Sequence, residues 1–487
     1  MGLMNGEAYR KSLDDGRQVW IEGERVPLVT AHPAFVPMID AIARIYDLHH
    51  NPAHRDLFTF RTGTGEVASR FYKLPTEPND IALRREMTAQ ILREVSPVID
   101  RFGDETVSPL FVLYENKDLL DRYDSRYHHT VLHWLKKLCR EHLFMSSGNT
   151  DMKGDRSKQP FQQRDPDVHL RVVEERDDGI IINGAKFETG ASYAHVAFVK
   201  PTVGVWNAEN RDFAVACIVP MNAPGLRHIC RAPLPRKNDF EAPLSSKYDE
   251  IDTLIIFDHV LVPWENVLFS RQPELASLIR TGLSTWGGHD FLVRSSAKAD
   301  LAVGAALLLA EQTRAAQIPA VREKISALMM YAQGIKAFIL ASEAAAENTP
   351  GGLYRPNQAI QNAGRLFSST EFNKVIQILR ELGGGVQVIA PDLKSLNSAE
   401  TRAYVAKYFA IEDVDAEARA RALHLISELT SSAFAGRMQL YQMFAEGPTS
   451  VQATLVYNTY DRKQAIAFAS DIAGIEPTAG RAVRSAA

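Results

Sequence analysis

The period of the apolar positions changes twice along this chain. In the first part it is helical: within His32–His50, Phe35, Ile39, Ile42 and Ile45 recur three or four apart. Asn79–Asp100 and Lys117–His142 predict two more helices, the second amphipathic with Val131, Leu135 and Leu138 inward. A short charged helix after Asn5 leads into Val19–Ile21 and a turn at Gly23. From Val168 to Pro263 the period drops to two. His169, Arg171 and Val173 alternate with Leu170 and Val172, and Asp177-Asp178-Gly179 reverses the chain into Ile180–Phe187. Ala194–Val199, Phe213–Val219, Leu226–Cys230 and Thr253–Phe257 follow as short strands between Pro, Gly, Asn and Asp clusters.

Beyond Val262-Pro263-Trp264-Glu265 the helical period returns. Phe291–Gln317, Val321–Glu347, Tyr354–Leu382, Ile411–Phe444 and Thr454–Ile472 predict a helical bundle with short connections, and Gly383-Gly384-Gly385 ends its third helix. The pattern as a whole predicts a mainly α protein with a central antiparallel β domain, divided as 1–145, 146–270 and 271–487.

Composition adds exclusions. With 487 residues, 45% of them hydrophobic, the chain buries a large core in two or three subdomains. The net charge of −4 is interspersed, so no basic stripe points to nucleic acid and no charged tail to a membrane surface. The longest apolar runs, such as Leu301–Ala310, fall short of a bilayer span, and the N-terminal residues lack a signal peptide's apolar stretch. Cys139, Cys217 and Cys230 have no metal-site spacing and read as core thiols in a reducing compartment. A cytoplasmic protein is the expectation. His129 and His133, four apart on one helix face, have the geometry of a two-histidine metal site but lack an HExxH glutamate and a third ligand, so no metal is expected.

The functional centre is placed at Ser146–Ser192, where two polar, turn-rich loops flank the β hairpin. The hairpin is expected to bring Met152–Gln162 near Thr189–Ser192, so that backbone N–H groups and short hydroxyls face one planar polar ligand. Polar loops beside a hairpin are otherwise simply solvated connections.

The segments DMKGDRSKQP, QRDPDVHLRVVEERDDGIIINGAK and TGAS resemble the flavin site of the 4-hydroxyphenylacetate 3-hydroxylase family, which also contains the 4-hydroxybutyryl-CoA dehydratases. The opening elements DGR-x-VW, G-E-x-V and HPAF resemble it too, so the likeness is nearly full length. It implies an acyl-CoA dehydrogenase-like fold: N-terminal helices, a β-barrel-like middle domain and a C-terminal four-helix bundle. The implied cofactor is FAD, used reduced, with O2, to hydroxylate an aromatic or heteroaromatic substrate. The implied partners are a separate flavin reductase and three further copies of the chain in a homotetramer.

By the same resemblance, Lys153, Gly154, Asp155, Arg156, Gln159, Pro160, Phe161 and Gln162 line the flavin, with Thr189 near its reactive edge. Arg156 suits the pyrophosphate, because a guanidinium engages phosphate oxygens in a fork. Gly384 and Gly385, and Gly447, Pro448, Thr449 and Ser450 after Glu446, fall where the family makes further FAD contacts; a flexible turn and a hinge are the plain alternatives.

The substrate clamp departs from the family pattern. Arg101 is followed by Glu105 where the family has a tyrosine, and Ser147 stands where it has a histidine. The four-iron cluster of the dehydratases has no counterpart, since neither Arg101–Phe111 nor Gly287–Ser296 contains a cysteine. Arg101, Ser147 and His289 remain as candidate catalytic residues, and Arg101, Glu105 and Thr202 as substrate contacts; Asn149, Trp286 and Asp290 are further candidates for the pocket wall. Asp252 reads as an exposed acid at a strand start. Cluster-free dehydratase or isomerase chemistry and a silent flavin-binding protein are the rival readings.

Overall fold

In the computed structural model, which describes residues 3–95, 106–202, 206–235, 238–444 and 447–475, helices surround two β-sheets. The helix Val36–Leu48 buries Met38, Ile39, Ile42 and Ile45 on one face, as their spacing requires. The next predicted helix is Pro78–Val95; its expected end, to Asp100, lies outside the described residues. Lys117–His142 forms two helices, Lys117–Tyr123 and Ser125–Glu141. Asp124 separates them: it is extended (φ −163°), and its carboxylate accepts the Arg126 N–H at 2.9 Å, starting a new helix.

The larger sheet runs Glu24–Val26, Val19–Ile21, Leu226–Cys230, Asp252–Pro263, Gly179–Thr189 and Thr150–Asp151, with Arg171–Arg176 also paired to Gly179–Thr189. The smaller runs Val267–Phe269, Ala216–Pro220, Val196–Val199 and Met145–Gly148. The β region is mixed where antiparallel pairing was expected. Val19–Ile21 lies parallel to Leu226–Cys230, and Met145–Gly148 parallel to Val196–Val199. Neither pair is joined by a tight turn, and long connections permit parallel pairing.

The chain then forms Pro273–Gln312, a helix of 40 residues, which packs with Pro319–Ala344, Gln358–Gly383 and Ala416–Thr430. It starts well before the expected Phe291, because Gly287-Gly288 is no break. A Cβ on Gly288 would lie 2.5 Å from Gln361 Nε2 and 2.7 Å from Arg365 Cδ, so the glycine lets two helices approach. Gly288→Ala is expected to cost about 1–3 kcal/mol through overpacking, read by chemical denaturation.

One core joins the N-terminal helices, both sheets and the start of the long helix; a second fills the bundle. Pro319–Ala344 is by length and composition apolar enough to cross a membrane. Here it packs through Ile325, Leu328, Ile335 and Ile339 into the second core. Ala433–Phe444, Thr449–Thr459 and Arg462–Ala473 complete the described chain.

Candidate flavin site

The strip around Thr189 is built by strand register. Thr150 and Asp151 pair with Phe187 and Lys186, so residues 147–149 come alongside Glu188 and Thr189, and strands Met145–Gly148 and Gly179–Thr189 touch. Lys186 and Asp151 form a buried ion pair. Lys186 also donates to Lys200 O at 2.7 Å, and the Thr202 N–H donates to Asp151 Oδ2 at 2.8 Å. Thr202 is thereby bound into the wall: its hydroxyl lies 2.9 Å from Asn149 O and 3.0 Å from Asp151 Oδ2.

Ser146 Oγ, Ser147 Oγ and Asn149 Oδ1 are buried, and among the described residues none has a hydrogen-bond partner. A buried polar group without a partner costs roughly 1–3 kcal/mol, so Ser147 and Asn149, two apart beside Thr189, point to a polar ligand that completes them, while Ser146 faces the other side of its strand. His169 nearby is 2% exposed, and burial lowers its pKa.

Thr189 itself is fixed. Its hydroxyl donates to Asp252 Oδ1 at 2.7 Å, across the strand pair that places Thr189 opposite Asp252. Asp252 is no exposed strand-start acid: its side chain is 15% exposed and holds two guanidiniums. Arg437 donates from Nη2 to Oδ1 (2.7 Å) and from Nε to Oδ2 (2.9 Å), and Arg231 from Nε to Oδ2 (2.8 Å). Burial alone would raise the carboxyl's pKa, but Arg437, then Arg231 and Thr189, outweigh it and hold it below the usual carboxylate range.

The loop after Asp151 leaves the sheet beside Lys186, three residues short of Thr189, and packs on Pro166–Val168 and Ala208–Phe213. Three residues of strand span about 10 Å, so loop and Thr189 mark two ends of an elongated strip. The loop is shaped by its own bonds. Gln163 Oε1 accepts the Asp155 N–H at 2.9 Å, Gln163 Nε2 donates to Asp155 O at 2.9 Å, and Gln159 and Gln162 cap the turn Pro160–Gln162 reciprocally. Gly154 has φ +53°, and a Cβ there would meet Gln163 at 2.6 Å. Lys153, Arg156 and Phe161 are exposed, and among the described residues Arg156 makes no ion pair.

Other sequence-predicted residues lie on helices. His289, 2% exposed, pairs through Nε2 with Glu343 Oε1 at 2.8 Å; Arg85 Nε donates to the same oxygen at 2.8 Å. Asp290 takes Arg84 Nε and Nη2 at 3.1 and 3.0 Å, and Trp286 donates to Glu115 at 3.0 Å. These partners tie the long helix to its neighbours rather than to the strand bearing Ser147. Gly384 (φ +56°) and Gly385 have no atom near a Cβ position, so their backbone lies open. Gly447 accepts from Gln452 Nε2 at 2.9 Å, and Pro448 caps the helix carrying Thr449 and Ser450. Arg101 and Glu105 lie outside the described residues. His129 bonds Ser125 O at 2.9 Å, and among the described residues no three His, Cys, Asp or Glu are placed to hold a metal. A surface cleft of about 810 Å³ between His49, His133, Lys136 and Arg140 contains none of the flavin or substrate candidates.

Comparison with known proteins decides the family. The models described as 4-hydroxyphenylacetate 3-hydroxylase N terminal and C terminal match residues 5–269 and 277–474. The chain belongs to the 4-hydroxyphenylacetate 3-hydroxylase family. Family members similar to it include an FADH(2)-dependent monooxygenase, TftD, of Burkholderia cepacia, 28% identical over 97% of this chain and 93% of that protein. A 4-nitrophenol 2-monooxygenase oxygenase component of Rhodococcus sp is 30% identical over 90% of this chain and 85% of that one. A crystal structure of the oxygenase component of 4-hydroxyphenylacetate 3-monooxygenase complexed with FAD superposes with a TM-score of 0.90 at 25% identity, covering 96% of this chain and 98% of the other. The 4-hydroxybutyryl-CoA dehydratase of N. maritimus shares the fold, with a TM-score of 0.90 at 24% identity over 98% and 96% of the two chains.

Proposed function

We propose that this chain is the oxygenase component of a two-component monooxygenase that takes reduced FAD from a separate reductase and hydroxylates a phenol or related aromatic with O2. The observation that carries the reading is the strip of buried, unpartnered Ser147 and Asn149 oxygens beside a fixed Thr189, in a chain whose relatives are named for this chemistry. Thr189, Ser147 and Asn149 would meet the ring, and the exposed loop with Lys153, Arg156, Gln159 and Phe161 the ribityl-diphosphate. A strip with ends about 10 Å apart suits the ring-to-diphosphate half of an extended dinucleotide. When bound, reduced FAD supplies the two electrons that divide O2 between the product hydroxyl and water.

The residues present do the rest. The Asp252 pair with Arg437 holds Thr189, the Asp151–Lys186 pair holds the loop and Thr202, and the sheet below excludes water. With Ser147 in place of the family's histidine, and Glu105 in place of its tyrosine, the pocket is expected to take a substrate other than a simple 4-hydroxyphenyl acid. The packing of Pro273–Gln312, Pro319–Ala344, Gln358–Gly383 and Ala416–Thr430 supports a four-helix bundle and the acyl-CoA dehydrogenase-like layout, with divisions near residues 145 and 270. Open Gly384 and Gly385, with Val388 88% and Ile389 71% exposed beside them, support a neighbouring subunit there, as in a homotetramer.

The test supplies the full chain with chemically reduced FAD, 18O2 and a panel of phenols. One labelled oxygen per hydroxylated product, matched by one FAD oxidised, is expected. Oxygen consumed only to peroxide across the panel, by a chain that binds neither form of FAD, would overturn the proposal.

A further inference from the structure

We infer that Asp252 is a positioning residue: by fixing the Thr189 hydroxyl as a hydrogen-bond acceptor, it makes the site select reduced over oxidised flavin. This rests on the flavin reading above.

Asp252 Oδ1 receives Thr189 Oγ1 and Arg437 Nη2, both at 2.7 Å; Oδ2 receives the Nε of Arg437 and of Arg231 at 2.9 and 2.8 Å. A carboxylate between two guanidiniums only accepts, so the proton of the 2.7 Å contact belongs to Thr189. A hydroxyl has one proton. With it committed to Asp252, the remaining valences of Thr189 Oγ1 are lone pairs, and only a donor completes them.

The arrangement resists rotation. Thr189 and Asp252 face each other in register across paired strands, and Thr189 is 9% exposed. Turning the hydroxyl outward would strip the carboxylate of one of its four donors in a mostly dry place.

Flavin changes its pattern on reduction in a way this oxygen can read. Oxidised isoalloxazine presents N5 as an acceptor without hydrogen, whereas the reduced ring carries N5–H, a donor. Against an oxygen that can only accept, the oxidised edge leaves two acceptors facing each other and the reduced edge makes a bond. Arg437 comes from Ala433–Phe444, the helix just before Gly447–Ser450, so the selection also depends on that helix being docked on the sheet.

The experiment measures dissociation constants for oxidised FAD in air and dithionite-reduced FAD under argon, on the full chain, and takes their ratio. Thr189→Val removes the acceptor and is expected to reduce the preference for reduced FAD about tenfold, equivalent to ~30 mV in the potential of the bound two-electron couple. Thr189→Ser keeps the oxygen and should keep the ratio. Asp252→Asn places an amide donor against Thr189, turns its hydroxyl outward, and should lower the ratio at least as far. A purely structural role would move both constants together and leave their ratio unchanged. An unchanged ratio in Thr189→Val overturns this inference while leaving FAD binding intact, whereas a wild-type chain binding neither form overturns the flavin reading itself. Thr189→Val and Thr189→Ser decide the matter if Asp252→Asn fails to fold.

Discussion

Replacing Lys186 with methionine is expected to lower the stability of the fold by about 3–5 kcal/mol, measured by urea unfolding, because it strands a buried carboxylate. The side chains of Lys186 and Asp151 are 1% and 5% exposed. The lost ammonium also donated to Lys200 O, so a backbone acceptor is left bare as well. The cost comes from breaking the pair rather than from its net worth, and this can be separated. The double variant Lys186→Met with Asp151→Asn removes both charges while keeping an acceptor for the Thr202 N–H and hydroxyl. It should regain more than half of the loss, giving a coupling of at least ~2 kcal/mol in a double-mutant cycle. A single-variant loss below about 1 kcal/mol would mean that the pair behaves like a solvated surface bridge, and the account of how the loop is anchored would be wrong. Since the two-residue strand Thr150–Asp151 holds the start of the loop to the sheet edge, Lys186→Met should also speed proteolysis within 152–162.

What the sequence made legible was local. The Asp177-Asp178-Gly179 reversal and the helix of Phe35, Ile39, Ile42 and Ile45 are short-range patterns, and a single segment around Ser146–Ser192 contains Ser147, Asn149, the loop and Thr189. What stayed hidden was pairing at a distance. Arg437 meets Asp252 across 185 residues, and nothing in either neighbourhood announces it. Asp252 read as exposed because an acid at the head of a strand normally faces water; here two guanidiniums make its burial possible. Lys186 lies on the same strand face as the buried Ile180 and Ile182, so alternation turns its charge inward, and the Asp151 that makes this tenable lies 35 residues away. The early start of the long helix, ahead of the expected Phe291, stayed hidden for a related reason: glycine's low helix propensity is visible at Gly287-Gly288, and the neighbouring helix that needs the space is not.

Acidification below pH 6.5 is expected to unfold this protein well before its carboxylates titrate. Burial lowers the pKa of His49 to about 3, of His195 to about 3 and of His228 to about 4, from an ordinary 6.5, and pushes His142 well down too. The bonding agrees with neutral rings. His195 Nδ1 accepts the Phe144 N–H at 2.8 Å, so its proton sits on Nε2 and donates to Ser12 Oγ at 2.8 Å. A second proton would break the Phe144 bond and put a charge near Arg17. His49 packs against His142 with ring centroids 3.9 Å apart and planes tilted by 59°, so charging either opposes the other. Because the folded values are depressed, the unfolded chain takes up protons first. The contribution is therefore complete above pH 6.5 and shrinks as the pH falls from there towards 3 or 4. Each such histidine contributes a slope of about 1.4 kcal/mol per pH unit, so three give roughly 4 kcal/mol per unit, a loss of about 4 kcal/mol by pH 5.5 and about 10 by pH 4, enough to exhaust the lower half of an ordinary stability of 5–15 kcal/mol. Carboxylates held low, such as Asp252, add their loss only below about pH 4, the ordinary range of an unfolded aspartate. Urea midpoints at pH 7.5, 6.5, 5.5 and 5.0 check the slope, and His49→Leu should flatten it by about one proton, or 1.4 kcal/mol per unit. A stability that stays level from pH 6.5 to 5.0 would show that these rings find water or protons in the folded chain, and that the core around Tyr46, Phe71 and His142 is looser than its packing implies.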